Sequence, residues 1–201
     1  KVVEHTLIPQ GSTFLTTERE LLACDHPDFH PTDVFEDADG SLLIVDTGGW
    51  YKICCPTSQL AKPDVLGGIY RLRKRDQPQV VDPLGQQLHW EGLENLLRHL
   101  VDAPADRHWI QQRAVRELRH HGAAAVSGLL QLARSAEGNS PALRQRILWT
   151  LAGIDAPQAR QAVRAILAGE TDPEVGRVAL EVSGLWRDPE ALGHALPFLH
   201  D

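Results

Sequence analysis

Three blocks, Ala114-Val115-Arg116-Glu117-Leu118, Ile147-Leu148-Trp149-Thr150-Leu151 and Ala179-Leu180-Glu181-Val182-Ser183, start 33 and then 32 residues apart. Each carries apolar residues at the i, i+3/i+4 spacing of one helix face. A second set follows each block: Ala125-Val126 with Leu129-Leu130, Ala162-Val163 with Ile166-Leu167, and Ala191-Leu192 with Ala195-Leu196. One helix pair cannot bury its stripe alone, whereas a stack of pairs makes a continuous core. Repetition at this period therefore constrains residues 86–201 to stacked helical hairpins.

The punctuation agrees. Pro141, Pro157, Pro173 and Pro189 precede the apolar runs, as expected at a first helical position, where a missing N–H costs nothing. An arginine stands before each block: Arg113, Arg146 and, offset by one, Arg177. Leu88 to Val101, with Trp90, Leu93, Leu96, Leu97 and Leu100, reads as a capping helix ahead of the array.

Ahead of the helices the pattern changes. All four lysines, Lys1, Lys52, Lys62 and Lys74, precede residue 76. Residues 76–85 hold Pro78, Pro83 and Gly85 without sustained periodicity and read as a linker. Residues 1–75 are strand-like. Ser41 to Asp46 is a short apolar run, preceded by Asp37-Ala38-Asp39-Gly40, whose Asp-Gly suits a hairpin turn. Pro31 to Glu36 is the expected partner strand, and Gly67 to Lys74 alternates as a half-exposed outer strand. Trp50 to Leu66 reads as a long loop. Ser12 to Thr16 and Glu20 to Cys24 read as a further hairpin belonging to a preceding sheet. Short antiparallel strands with tight turns suggest a β-propeller blade. The expected fold is α+β and segregated: a partial propeller of about one and a half blades, then an α-α superhelix.

Composition limits the functions available. Residues 1–75 hold 8 Lys and Arg against 11 Asp and Glu, and residues 76–201 hold 12 against 16. Neither part has the basic surplus of a phosphate-tracking surface, so nucleic acid is not an expected partner. No apolar run approaches the about 20 residues that cross a bilayer. The chain has no methionine and no basic-then-apolar leader, so a piece of a longer protein is expected.

Two stretches carry a resemblance. The first runs His26-Pro27-Asp28-Phe29-His30-Pro31-Thr32-Asp33-Val34, through Asp37-Ala38-Asp39-Gly40-Ser41-Leu42-Leu43-Ile44-Val45-Asp46-Thr47-Gly48-Gly49-Trp50-Tyr51, to Cys54-Cys55-Pro56-Thr57-Ser58 and Gly67-Gly68-Ile69-Tyr70-Arg71. It resembles the last blade of the PVC-type membrane-bound dehydrogenase or haem-binding family, large secreted bacterial proteins with a propeller like that of quinoprotein glucose/sorbosone dehydrogenases. In that family HEAT repeats usually follow the propeller, and the helical half here is similar to the general HEAT pattern. The resemblance implies an exported, periplasmic or extracellular parent that is an oxidoreductase acting on sugars or alcohols. Quinone or haem c is implied for that parent only, since this chain has no CxxCH motif. The segment itself is expected to be non-catalytic, a terminal blade plus a HEAT scaffold for other domains of its chain or a protein partner.

Candidate chemistry clusters near the blade. His30 and Asp33 at the start of one strand and Asp46 at the end of the next can form a general base with an orienting carboxylate. Alternatively, the aspartates bond turn backbones and His30 packs against a neighbouring blade. Trp50, Tyr51 and Lys52 are candidates for ligand binding, the two aromatic rings offering a stacking platform; otherwise the rings cover an edge. Cys24, Cys54 and Cys55 form a disulfide, remain thiols or, with His26 and His30, gather at a metal; their spacing is not that of a standard zinc site, and no metal is expected. Asp37-Ala38-Asp39-Gly40 lacks a twelve-residue calcium loop and reads as a plain turn. No GxGxxG, Walker, GxSxG or HExxH pattern is present.

Overall fold

A computed structural model describes residues 1–10, 13–52, 59–76, 78–102, 107–135 and 140–195, with the backbone alone for 50–52, 59–61, 102 and 195. The chain is mixed α+β and divides into two compact units, Lys1–Val80 and Val81–Asp201. The division falls inside the stretch read as a linker. Past it, Asp82 accepts from the Gln86 and Gln87 amides at 2.7 and 2.9 Å, so residues 81–87 fold as part of the second unit.

The second unit contains α1 (Leu93–Asp102), α2 (His108–His121), α3 (Ala123–Arg134), α4 (Pro141–Ala152), α5 (Pro157–Leu167) and α6 (Pro173–Leu185). A 3-10 turn (Pro189–Ala191) and the four-residue α7 (Leu192–Ala195) follow. From α1 to α4, each helix packs on the next two in sequence, and α5 packs on α6. The result is two rows, α1-α3-α5 and α2-α4-α6. Equivalent positions of the repeat fill the seam: Ile110, Leu143 and Val175; Ala114, Ile147 and Ala179; Leu118, Leu151 and Ser183 are all buried. The two hydroxyls in this core are satisfied within their own helices, Thr150 donating to the Arg146 carbonyl at 2.7 Å and Ser183 to the Ala179 carbonyl at 2.8 Å.

All four prolines stand at the first residue of their helix or turn. Asp172 caps α6, accepting from the Glu174 and Val175 amides at 3.0 Å each. One helical expectation needs correction. The first helix starts at Leu93, not Leu88, because Gly92 turns the chain at φ +81°. The preceding Trp90 instead donates to the Gly85 carbonyl at 2.7 Å and lies between His99 and Arg113. The third repeat's second helix is described as the 3-10 turn and α7, and Leu196 of its expected apolar set lies outside the described residues. Ala191 is buried there, but Leu192 is 69% exposed, since no described element covers it.

Among the described residues the first unit has three open antiparallel sheets. Strands β1 (Val2–Gln10) and β2 (Thr13–Leu22) form a long hairpin; β3 (Pro31–Glu36), β4 (Leu42–Asp46) and β7 (Gly68–Leu72) form a sheet of order β3-β4-β7; β5 (Trp50–Lys52) pairs with β6 (Gln59–Ala61). The expected hairpin within residues 12–24 is thus one continuous strand, whose partner is Val2–Gln10. The reason is local: Thr13 to Cys24 contains no Gly, Pro, Asn or Asp to turn the chain, and its threonines favour extended backbone. The loop expected over Trp50 to Leu66 contains the β5–β6 ribbon. Among the described residues the only buried apolar side chains of this unit are Val2, Ala38 and Ile44. The extended hydrophobic core therefore lies in the helices.

Candidate functional site

The β3–β4 pairing sets Pro31 opposite Asp46 and so brings His30 beside the end of β4. Asp46 is buried, and its Oδ1 accepts from the His30 and Gly48 backbone amides, both at 2.9 Å. The His30 ring turns elsewhere: Nδ1 lies 2.7 Å from the Gly48 carbonyl oxygen and 3.0 Å from that of Asp28. Carbonyl oxygens only accept, so Nδ1 carries the ring proton. Asp33, on exposed β3, accepts from the Val34 amide at 2.8 Å. The structure thus unites His30 with Asp46 through the backbone and leaves Asp33 outside. A carboxylate orienting a general base must hold the imidazole N–H; here carbonyls hold it, and Asp46 fastens a turn.

That turn depends on two glycines. Gly48 adopts φ +62°, and a Cβ on Gly67 would stand 2.1 Å from the Asp46 carbonyl oxygen. The backbones of Asp46–Gly48 and Leu66–Gly67 therefore lie directly against each other.

The Asp37-Ala38-Asp39-Gly40 segment is a tight turn, with the Gly40 amide donating to the Asp37 carbonyl at 2.9 Å and Gly40 at φ +75°. Arg71 reaches Asp37 at 2.7 Å and Asp39 at 3.2 Å, while Arg73 reaches Asp39 at 2.8 Å. The Ala38 amide, then Arg71, hold the Asp37 carboxyl below its usual range. The Ser41 hydroxyl and amide, then the two guanidinium groups, do the same for Asp39. Both carboxylates are committed to hydrogen bonds and ion pairs within the unit. Nearby, the hydrogen bond from Lys62 lowers Asp28.

Trp50, Tyr51 and Lys52 lie on β5, opposite Ala61, Leu60 and Gln59; their side chains lie outside the described residues. So do Cys54 and Cys55. Cys24 is an exposed free thiol. Among the described residues no group of three His, Cys, Asp or Glu is placed to hold a metal ion, and no helix is long and apolar enough to cross a membrane.

Sequence reasoning missed a second place. Between α2 and α4 runs an open groove of about 750 Å³, lined by Arg116, Arg119, His120, Arg146 and Gln112 among others. Arg119 crosses bare Gly153 to donate to the Trp149 carbonyl at 2.7 Å. Arg146 donates to the Leu100 carbonyl at 3.1 Å, and burial pulls its guanidinium below the usual arginine range. The only signal in the sequence was the arginine recurring before each block, and Arg146 alone of those three faces the groove.

No family model, curated protein or solved structure matches this chain.

Proposed function

We propose that this chain is a non-catalytic scaffold: a propeller-blade segment and a HEAT-like superhelix of an exported dehydrogenase-like protein, presenting a helical surface to a protein or to other domains of the same chain. The two-row helical array with its repeating core carries this reading, because such stacks expose long continuous faces. The blade assignment is supported by the antiparallel β3-β4-β7 sheet, one strand short of a four-stranded blade. The quinoprotein-type alternative, in which the His30/Asp33 end lines an active site, has less support: carbonyl oxygens occupy Nδ1 of His30, and Asp33 bonds its neighbour's amide.

Two measurements test the proposal. Limited proteolysis that cuts between Val80 and Val81 is expected to release a helical piece that still melts cooperatively. A piece that loses its helical signal overturns the scaffold. The intact chain is also assayed for dye-linked oxidation of sugars and alcohols. Dye reduction that disappears in His30→Ala replaces the scaffold reading with the enzyme.

A further inference from the structure

The protein is acidic overall, with a formal charge of -7, yet one of its open faces concentrates cations. Arg116, Arg119, His120 and Arg146 line the same α2–α4 groove. His120 lies 4.0 Å from Glu117, whereas none of the three arginines makes an ion pair among the described residues. Arg119 and Arg146 spend one N–H each on a main-chain carbonyl, which leaves their positive charge uncancelled. Arg116 is exposed, lines the groove and makes no hydrogen bond or ion pair among the described residues, so its fork of donors is open to a ligand. Elsewhere in the same unit Arg144 pairs with Glu170, Arg164 with Asp188 and Glu190, and Arg177 with Glu174 and Glu181, while Arg113 and Arg160 lie over the Trp90 and Trp186 rings and Arg134 bonds the Ala165 carbonyl. The groove is where three arginines without an ion pair among the described residues line one surface.

We propose that this groove captures an acidic peptide segment in extended form, with Arg116, Arg119 and Arg146 taking its carboxylates and Gln112 bonding its backbone. Arginine presents parallel N–H pairs that match a carboxylate edge. Arg116 and Arg119 are three residues apart on one helix, so their side chains are neighbours on the same face. An amide such as Gln112 both donates and accepts, which suits a peptide backbone and has no counterpart on a phosphate chain. From His108 to His120 the helix rises about 18 Å, the reach of about five or six extended residues. Three arginines in an acidic chain are also too few to hold a long polyanion against repulsion from the rest of the molecule. The inference rests on the scaffold reading and names the partner that the surface takes.

The probe is a fluorescent, end-capped hexapeptide of alternating Asp and Glu, titrated with the full chain and followed by anisotropy. Its Asn/Gln counterpart and a short single-stranded oligothymidylate are run alongside. The acidic peptide is expected to bind at least tenfold more tightly than either, and more weakly as salt rises. The single variant R116E, which breaks no hydrogen bond or ion pair among the described residues, is expected to weaken binding at least fivefold, and R116E/R119E at least tenfold. G153A weakens it as well, because the new Cβ would lie 2.3 Å from Nε of Arg119 and displace that guanidinium. R177E, at an exposed position of α6 outside the groove, changes binding by less than twofold. Equal binding of the amide peptide, undiminished binding by R116E, or tighter binding of the oligonucleotide overturns the proposal. Any of these results leaves the scaffold reading standing, since that rests on the cooperative melt of the released helical piece.

Discussion

Arg144 and Glu170 form a two-pronged ion pair, with Nε to Oε2 at 2.8 Å and Nη2 to Oε1 at 3.1 Å. Glu170 Oε1 also accepts from the amides of Thr171 and Asp172, at 2.9 Å each. One carboxylate therefore ties α4 to the segment that starts α6, across two successive repeats. Arg164 repeats the device from α5, reaching Asp188 at 2.9 Å, where Asp188 also accepts from the Glu190 amide at 3.2 Å. In both cases the acid is nearly enclosed and fixes the chain that leads into the next element.

Glu170→Ala is expected to remove the ion pair and strip two amides of their acceptor together. Hydrogen bonds to charged groups contribute about 1.5–3 kcal/mol, so a loss in that range is expected in denaturant unfolding. A double-mutant cycle with Arg144→Ala should return a coupling of at least about 0.5 kcal/mol. Additive losses would show that the two residues do not cooperate.

Leu151 and Leu192 separate buried from exposed positions of the same repeat pattern. Leu151 is fully buried between the helix rows, and Leu151→Ala is expected to cost about 2–5 kcal/mol. Leu192→Ala is expected to change stability by less than about 0.5 kcal/mol. Thermal melts of the two variants check the difference, and equal shifts would contradict the packing described here.

Gly67→Ala places a methyl group against the Asp46 carbonyl, where only backbone can yield. Overpacking of this kind costs about 1–3 kcal/mol. Amide chemical shifts around Gly48 and Val65 should move, while those of the helical unit stay in place.

The aspartate turn carries a pH dependence of definite sign. Asp37 and Asp39 have lowered carboxyl pKa values in the folded protein, so their stabilisation is present above the unfolded carboxylate range and is lost as pH falls through the folded values. The β3-β4-β7 sheet should therefore be less stable at pH 3 than at pH 6. The Ser41 amide resonance, followed by NMR across that window, reports it. Asp39→Asn is expected to flatten the response; an unchanged profile would assign the pH dependence to other groups.

Asp46→Ala should harm the first unit more than His30→Ala. Asp46 is the acceptor for two backbone amides, and orphaning buried donors costs about 1–3 kcal/mol each. Amide hydrogen exchange at Gly48 should speed up in Asp46→Ala. Slow exchange retained there would show that another group satisfies the turn.

Legibility in the sequence followed periodicity. The buried positions of α2, α4 and α6 recur at 33 and 32 residues, and four prolines mark starts, so those helices were readable. The Asp-Gly turn was readable from its turn chemistry, and strand β3 as the partner preceding that turn. The β1–β2 pairing was not, because the identity of a strand's partner is a long-range fact: Ile8 meets Leu15 and Leu7 meets Thr16 only once the register is set. At the candidate site, the His30 backbone amide donates to Asp46 Oδ1. Their chemistry was not readable, because ring orientation depends on the carbonyls of Gly48 and Asp28.

The sequence alone determined the local and periodic features: where the proline-led helices start and which face of the repeated helices turns inward. Apolar spacing and proline geometry act over one or two turns, so they are written in the order of residues. Only the tertiary structure decided which charges meet. Arg144 finds Glu170 26 positions away, whereas Arg116, Arg119 and Arg146 come together facing open space. Side chains from different helices share a surface only after the rows have stacked, and no spacing along the chain encodes that meeting.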